Sequence, residues 1–355
     1  AVYFPTHIEG MALIDTVTGR YDLVGRFYRL KAELLDLDPL MDYDRYAPVG
    51  TVDRRYDWSE AREIVLDAYY DFDERFGEVA ERFFSENWID ATPEAGKRGG
   101  AFSASTVPSV HPYVLVNFTG QPRDVQTLAH ELGHGVHQFL AREQGVLQSD
   151  TPLTTAETAS VFGEMLVFRR LLDREDDPEN RLTMLVQKVD DTIATVFRQV
   201  AMNRFEDRIH RARRSSGELT HAEFSEHWME TQRAMLDGSV RLGAHYRSWW
   251  SYIPHFLHTP GYVYAYAFGE LLVLALYNRY REEGDPFVRK YRNVLTAGGS
   301  EWPHRLMERL GVDCADPDFW QEGIEAIRNL IGEAESETDR VSNRPADHVA
   351  QHGST

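Results

Sequence analysis

His130-Glu131-Leu132-Gly133-His134, preceded by Thr127-Leu128-Ala129 and followed by Gly135-Val136-His137, is the stretch on which the reading of this chain turns. Two histidines four apart on a helix share one face, one turn apart, so both imidazoles can meet a single metal ion. Glu131 lies between them in sequence and can reach a water on that metal, as a general base must. The small and apolar flanks predict a buried helix from Arg123 to about Gln144, stopped by Gly145. A buried helix has little reason to carry His, Glu and His without a ligand. The expected ion is one Zn2+, which in catalytic sites takes three protein ligands and keeps a fourth position for water. Two histidines and a carboxylate would also hold cobalt or manganese.

A histidine six residues beyond His134 would supply the third ligand in one known arrangement, but position 140 is Leu140. The ligand must then come from another element. Thr154-x-x-Glu157 resembles a capping box and predicts a helix to about Asp173. On it, Glu157 and Glu164 are seven apart and share a face, with Ser160 between them. One can bind the metal while the other accepts a hydrogen bond from a ligand imidazole and so fixes its tautomer. Glu157, in the first turn, is the preferred ligand, and Glu164 the preferred partner of the imidazole.

Helical patterns dominate the rest. They cover 21–36, a stretch opened by Asp57-Trp58-Ser59-Glu60 and running towards Asp90, then 178–213, 220–237 (opened by Thr220-x-x-Glu223) and Tyr262–Arg281. The one β signal is Val110–Phe118, rich in β-branched and aromatic residues; Pro112 near its start favours an edge position, where an extended peptide could pair. Residues 91–100 read as a loop, and its Gly99-Gly100 turn would let a substrate backbone approach closely. Residues 335–355 are polar and aperiodic and read as a disordered tail. The class is mainly α with a small sheet, residues 1–334 forming one catalytic domain.

Composition excludes several functions. Lys and Arg number 38 against 57 Asp and Glu, a formal charge of −19 that leaves no basic surface for nucleic acid. Lys is nearly absent (Lys31, Lys97, Lys188, Lys290), so Arg carries the positive charge. Cys314 stands alone, so metal ligands must be His and carboxylate. No apolar run approaches the length of a membrane span. The start at Ala1-Val2-Tyr3-Phe4-Pro5 has neither an initiator Met nor a signal peptide. It reads as an interior segment, with a cytoplasmic location expected by default.

His130-Glu-Leu-Gly-His134-Gly-Val-His137 followed by Glu157-Thr-Ala-Ser160-Val-Phe-Gly-Glu164 resembles the thimet oligopeptidase family of zinc peptidases, and within it the oligoendopeptidase F branch. The resemblance extends through Gly99-Gly100-Ala101-Phe102, His111–Asn117, His255-Phe256 and Tyr262-Val-Tyr264-Ala-Tyr266. It implies that His130, His134 and Glu157 bind zinc, that Glu131 is the general base and that Glu164 supports a ligand. It implies a zincin-like gluzincin fold, a helical two-lobed body around a peptide channel, and an N-terminal helical region beyond this chain. It also places oxyanion donors in the segment after His255. His255 and Tyr262 are the leading candidates, with Tyr264 and Tyr266 in reserve as substrate-binding residues. The expected activity is endopeptidase action on oligopeptides. A dipeptidyl carboxypeptidase shares the same motifs, and a zinc-binding protein that only holds peptides is the non-enzymatic alternative.

Overall fold

The computed structural model describes residues 7–151 and 153–343. In chain order its α-helices are α1 (His7–Thr18), α2 (Tyr21–Leu34), α3 (Trp58–Phe72), α4 (Glu74–Ser85), α5 (Pro122–Ala141), α6 (Leu153–Asp173) and α7 (Pro178–Thr195). They continue with α8 (Phe197–Ser216), α9 (His221–Leu236), α10 (His255–His258), α11 (Tyr264–Glu283), α12 (Asp285–Ala297), α13 (Pro303–Arg309) and α14 (Pro317–Ser342). Three short strands, β1 (Ile89–Asp90), β2 (Phe102–Ala104) and β3 (Tyr113–Leu115), form the small sheet. The mainly helical class predicted from sequence is the observed one.

Helix boundaries follow local chemistry that the periodicity alone blurs. Asp57 caps α3, accepting from the Glu60 amide at 2.8 Å, while the Glu60 carboxylate turns away to Arg54. The helix predicted to run on towards Asp90 stops at Asp73, whose extended backbone (φ −158°, ψ 126°) restarts the chain as α4 by accepting from the Phe76 amide at 2.9 Å. The single helix predicted over 178–213 likewise breaks at Val196. Thr220 and Glu223 form the expected capping box of α9.

Two readings are corrected. The strand at Val110–Phe118 is not an edge: the order is β1-β3-β2, with β1 parallel and β2 antiparallel to β3. Pro112 precedes the paired residues, so its missing N–H costs the ladder nothing. Residues 335–342, expected in the disordered tail, complete α14. Their helical face is visible in retrospect: Ala334, Glu337 and Val341 turn inward, and buried Glu337 accepts from Arg181 at 2.8 Å and from Arg340 at 2.9 Å. Residues 344–355 of that predicted tail lie outside the described residues. No helix among the described residues is long and apolar enough to cross a membrane.

The main apolar core wraps α5 and α6; a smaller one, around Phe205, Trp228 and Tyr246, joins α8, α9 and the 3-10 helix Ala244–Tyr252. Both glycines of the motif serve close packing. A Cβ on Gly133 would stand 2.5 Å from the Ala159 carbonyl oxygen and 2.7 Å from the Ser160 Cα, so α5 and α6 touch backbone to backbone. A Cβ on Gly135 would meet the Phe83 ring of α4 at 2.6 Å. Two phenols lock the pair: Tyr69 of α3 donates to the Ala129 carbonyl of α5 at 2.5 Å, and Tyr291 of α12 to the Thr158 carbonyl of α6 at 2.8 Å. All four side chains and carbonyl residues named here are buried, where each such bond contributes about 1 kcal/mol.

Because the obstacle at Gly133 is backbone, Gly133→Ala is expected to force α5 off α6 and to destabilise the fold by at least about 1–3 kcal/mol. Urea unfolding of the variant beside the parent protein measures this, and equal midpoints would show that the crossing is looser than described.

Candidate metal centre

The crossing of α5 over α6 sets one carboxylate against two imidazoles. The Nε2 atom of His130 is 3.4 Å from Glu157 Oε2, and Nε2 of His134 is 3.5 Å from the same oxygen. One ligand atom from each of the three residues lies within 4.8 Å of the others. Donors about 2.1 Å from a tetrahedral ion stand about 3.4 Å from one another, so these spacings fit such an ion with little rearrangement. The two rings are nearly perpendicular, at 81°, with centroids 5.0 Å apart.

The charges agree with the geometry. Burial works against ionisation of Glu157, yet the imidazoles of His130 and His134 hold its carboxyl far below the usual range. Burial likewise works against a charged His130, but Glu157 and Glu164 outweigh it and push its pKa up to about 10. Both shifts have one cause: the cluster is arranged to hold positive charge between its carboxylates. On the far side of the His130 ring, Nδ1 faces Glu164 Oε2 at 3.4 Å. Ser160 donates to Glu157 Oε2 at 2.8 Å, which uses the residue lying between the two glutamates.

Glu131 is buried beside this cluster, and burial raises its carboxyl pKa against the lowering pull of His130 and His134. It lines a cavity of about 380 Å3 together with Phe102, Ser103, His134 and Glu157. The cavity wall thus includes β2, the strand that occupies the edge expected for Val110–Phe118. Ser103 is fixed there by donating to Gln138 of α5 at 2.8 Å. His137 also reaches the cavity; burial drives its pKa down to about 3, and its Nδ1 has no hydrogen-bond partner among the described residues.

The tyrosine segment divides by helical phase. Tyr262 and Tyr266, four apart, stack edge-on with centroids 5.5 Å apart, and the Tyr266 hydroxyl is 3.1 Å from His255 Nε2. Burial raises the Tyr262 pKa, with further contributions from Tyr266 and from Glu157. Tyr264 is not brought to that group: within α11 it is two residues from Tyr266 and so on the opposite side of the helix, and its ring lies against Gly10 of α1. Gly99 and Gly100 face open space, Gly100 at φ +81°, and Asn117 ties their loop by donating to the Arg98 and Gly100 carbonyls at 3.0 and 2.9 Å.

Sequence reasoning missed Lys188 of α7 and Glu270 of α11, which lie behind Glu164: Lys188 Nζ is 3.2 Å from Glu164 Oε1 and 3.9 Å from Glu270 Oε1. A signal was present. Lys188 interrupts the apolar run Met184-Leu185-Val186 to Val189, and Glu270 interrupts Ala267-Phe268 to Leu271-Leu272-Val273. A charge placed on each of two buried stripes asks for its opposite.

With this geometry in place, relatives give the site its family. The chain belongs to peptidase family M3, whose sequence profile matches residues 60–326. Among individual proteins, the chain is 29% identical over 331 residues to oligopeptidase PepF of Bacillus subtilis (strain 168), covering 93% of this chain and 48% of PepF. It is 30% identical over 326 residues to group B oligopeptidase PepB of Streptococcus agalactiae serotype III (strain NEM316), covering 91% of this chain and 54% of PepB. The fold is that of the crystal structure of oligoendopeptidase-F from Enterococcus faecium, at TM-score 0.72 and 24% identity, covering 95% of this chain and 54% of that one. The chain therefore spans about half the length of the relatives it matches.

His130→Ala, His134→Ala and Glu157→Gln are each expected to abolish stoichiometric zinc uptake at micromolar metal, whereas Glu164→Gln should weaken it about 10–100-fold. Metal analysis after gel filtration, with competition against a chromophoric chelator, separates these outcomes. Full uptake by Glu157→Gln would move the third ligand elsewhere.

Proposed function

We propose that this chain is the catalytic part of a zinc-dependent endopeptidase that hydrolyses short oligopeptides. The observation that carries the reading is the meeting of two imidazole Nε2 atoms and the Glu157 carboxylate at one point, with Glu131 buried in the same cavity. The names of the relatives, oligopeptidases PepF and PepB, support a peptide substrate.

His130, His134 and Glu157 would hold the ion, with Glu164 keeping the proton of His130 on Nδ1 so that Nε2 is available as a ligand. Bound zinc supplies Lewis acidity, polarising the scissile carbonyl and acidifying water. Glu131 takes the proton from the attacking water and returns it to the departing amine. Burial raises the Glu131 pKa above the ordinary carboxylate value, which makes it a better base than an exposed carboxylate. Tyr262 and Tyr266, the latter hydrogen-bonded to His255, are the candidate donors for the oxyanion. The β2 edge and the open Gly99-Gly100 loop offer backbone contacts, which hold an extended peptide without reading its side chains.

Glu131→Gln is expected to lower kcat about 10²–10⁴-fold while zinc content stays at the parent level. Undiminished hydrolysis would remove Glu131 from the mechanism, and a parent protein that binds peptides without cutting them would leave only the binding reading. Mass spectrometry of peptide ladders then decides the mode of attack: internal cuts are expected, and stepwise loss of C-terminal dipeptides would make the enzyme a dipeptidyl carboxypeptidase instead. Of Tyr262→Phe and Tyr266→Phe, at least one should lose about 10²–10³-fold in kcat with little change in KM.

A further inference from the structure

His130 forms part of two cavities. One is the cleft holding Glu131; the other, of about 600 Å3, is lined by Glu164, Lys188, Asp191 and Arg123 and by the start of α5. Glu164 lines this second space beside His130, and among the described residues each of its oxygens has one hydrogen-bond partner. Oε2 takes His130 Nδ1 at 3.4 Å, and Oε1 takes Lys188 Nζ at 3.2 Å. Lys188 is itself buried, and behind it Glu270, buried on α11, is 3.9 Å away. The contacts form a line from α5 through α6 and α7 to α11.

We propose that Lys188, held between Glu164 and Glu270, is a positioning residue for the metal centre: it fixes the Glu164 carboxylate in the orientation that keeps His130 Nε2 turned towards the ion. The inference rests on the metal reading above. A carboxylate with one fixed oxygen can rotate, and the 600 Å3 cavity that Glu164 lines offers space for it to turn into. Lys188 removes that freedom by holding the second oxygen. Glu270 plays a different part. Burial disfavours the Lys188 ammonium, and the charge of Glu164 opposes this more strongly than those of Glu270 and Asp191. Glu164 alone suffices for the orientation once the ammonium is in place, so the two neighbours of Lys188 are unequal: losing the cation releases Glu164, whereas neutralising Glu270 leaves the Lys188–Glu164 contact intact.

The test measures zinc affinity of the folded, metal-free protein by chelator competition, with thermal unfolding and steady-state kinetics alongside. Lys188→Met is expected to weaken zinc about 10–100-fold, the effect typical of losing a support of a ligand histidine, and to lower kcat more than it raises KM. Glu270→Gln should stay within about threefold of the parent, well short of that typical loss. Should Lys188→Met fail to fold for want of a cation between two carboxylates, the double variant Lys188→Met/Glu270→Gln removes that repulsion, and it too should bind zinc weakly. Parent-like zinc affinity in whichever Lys188→Met protein folds overturns the proposal. So does an equal loss in Glu270→Gln, which would make the line of charges a purely structural cluster. A parent protein that itself takes up no zinc would sink the metal reading instead, and the two failures are thereby distinct.

Discussion

The contact on which this structure depends is the backbone approach of α5 to α6 at Gly133. Two histidines one turn apart offer two Nε2 atoms, and a third donor is useful only if another helix delivers it to within a few ångströms of both. With any side chain at position 133, the Ala159–Ser160 backbone would be pushed away and the Glu157 carboxylate with it. Tyr69 and Tyr291 tie the two helices to α3 and α12 through carbonyls adjacent to the site. The centre is thus placed by rigid elements, which is how ligand geometry is kept without a loop having to order itself.

Behind the ligands the protein keeps charges that a hydrophobic core would ordinarily exclude. Of its four lysines, Lys31, Lys97 and Lys188 have side chains at most 8% exposed, and only Lys290 lies in solvent, 46% exposed. Lys31 pairs with Asp190, and Lys97 clasps Asp90 and the carbonyls of Thr92 and Val116, which holds the loop before β2. In a chain that uses Arg for nearly all positive charge, three of the four lysines have largely buried side chains that make compact contacts. A point-like ammonium fits where the guanidinium fork would not.

The helices were legible wherever apolar spacing and a cap agreed, as at Asp57, Thr220 and Gly145. They were not legible where one cap ends a helix and begins the next: Asp73 reads as an ordinary solvated carboxylate until its bond to the Phe76 amide is seen. The strand at 110–118 was found, but its place in the sheet was misjudged, because Pro112 constrains only its own N–H and the pairing begins at Tyr113. The end of α14 was lost because its inward face carries a glutamate. Glu337 counts as polar in a periodicity reading, and its arginine partners are far away in sequence or on the outer turn.

For the site, the sequence by itself determined the ligand types, the four-residue spacing that puts His130 and His134 on one face, and the restriction of the third donor to Glu157 or Glu164. These follow from local helical geometry, which spacing encodes directly. Tertiary structure alone decided which glutamate meets both imidazoles and which backs His130, since that depends on where two helices cross and on the phase of one relative to the other. It also decided that Tyr262 and Tyr266 gather with His255 while Tyr264 faces α1, and that Lys188 and Glu270 stand behind Glu164. The contacts of Lys188 join residues 24 positions apart, to Glu164, and 82 apart, to Glu270, and no local pattern specifies them. Only the packing of four helices against one another brings their charges into line.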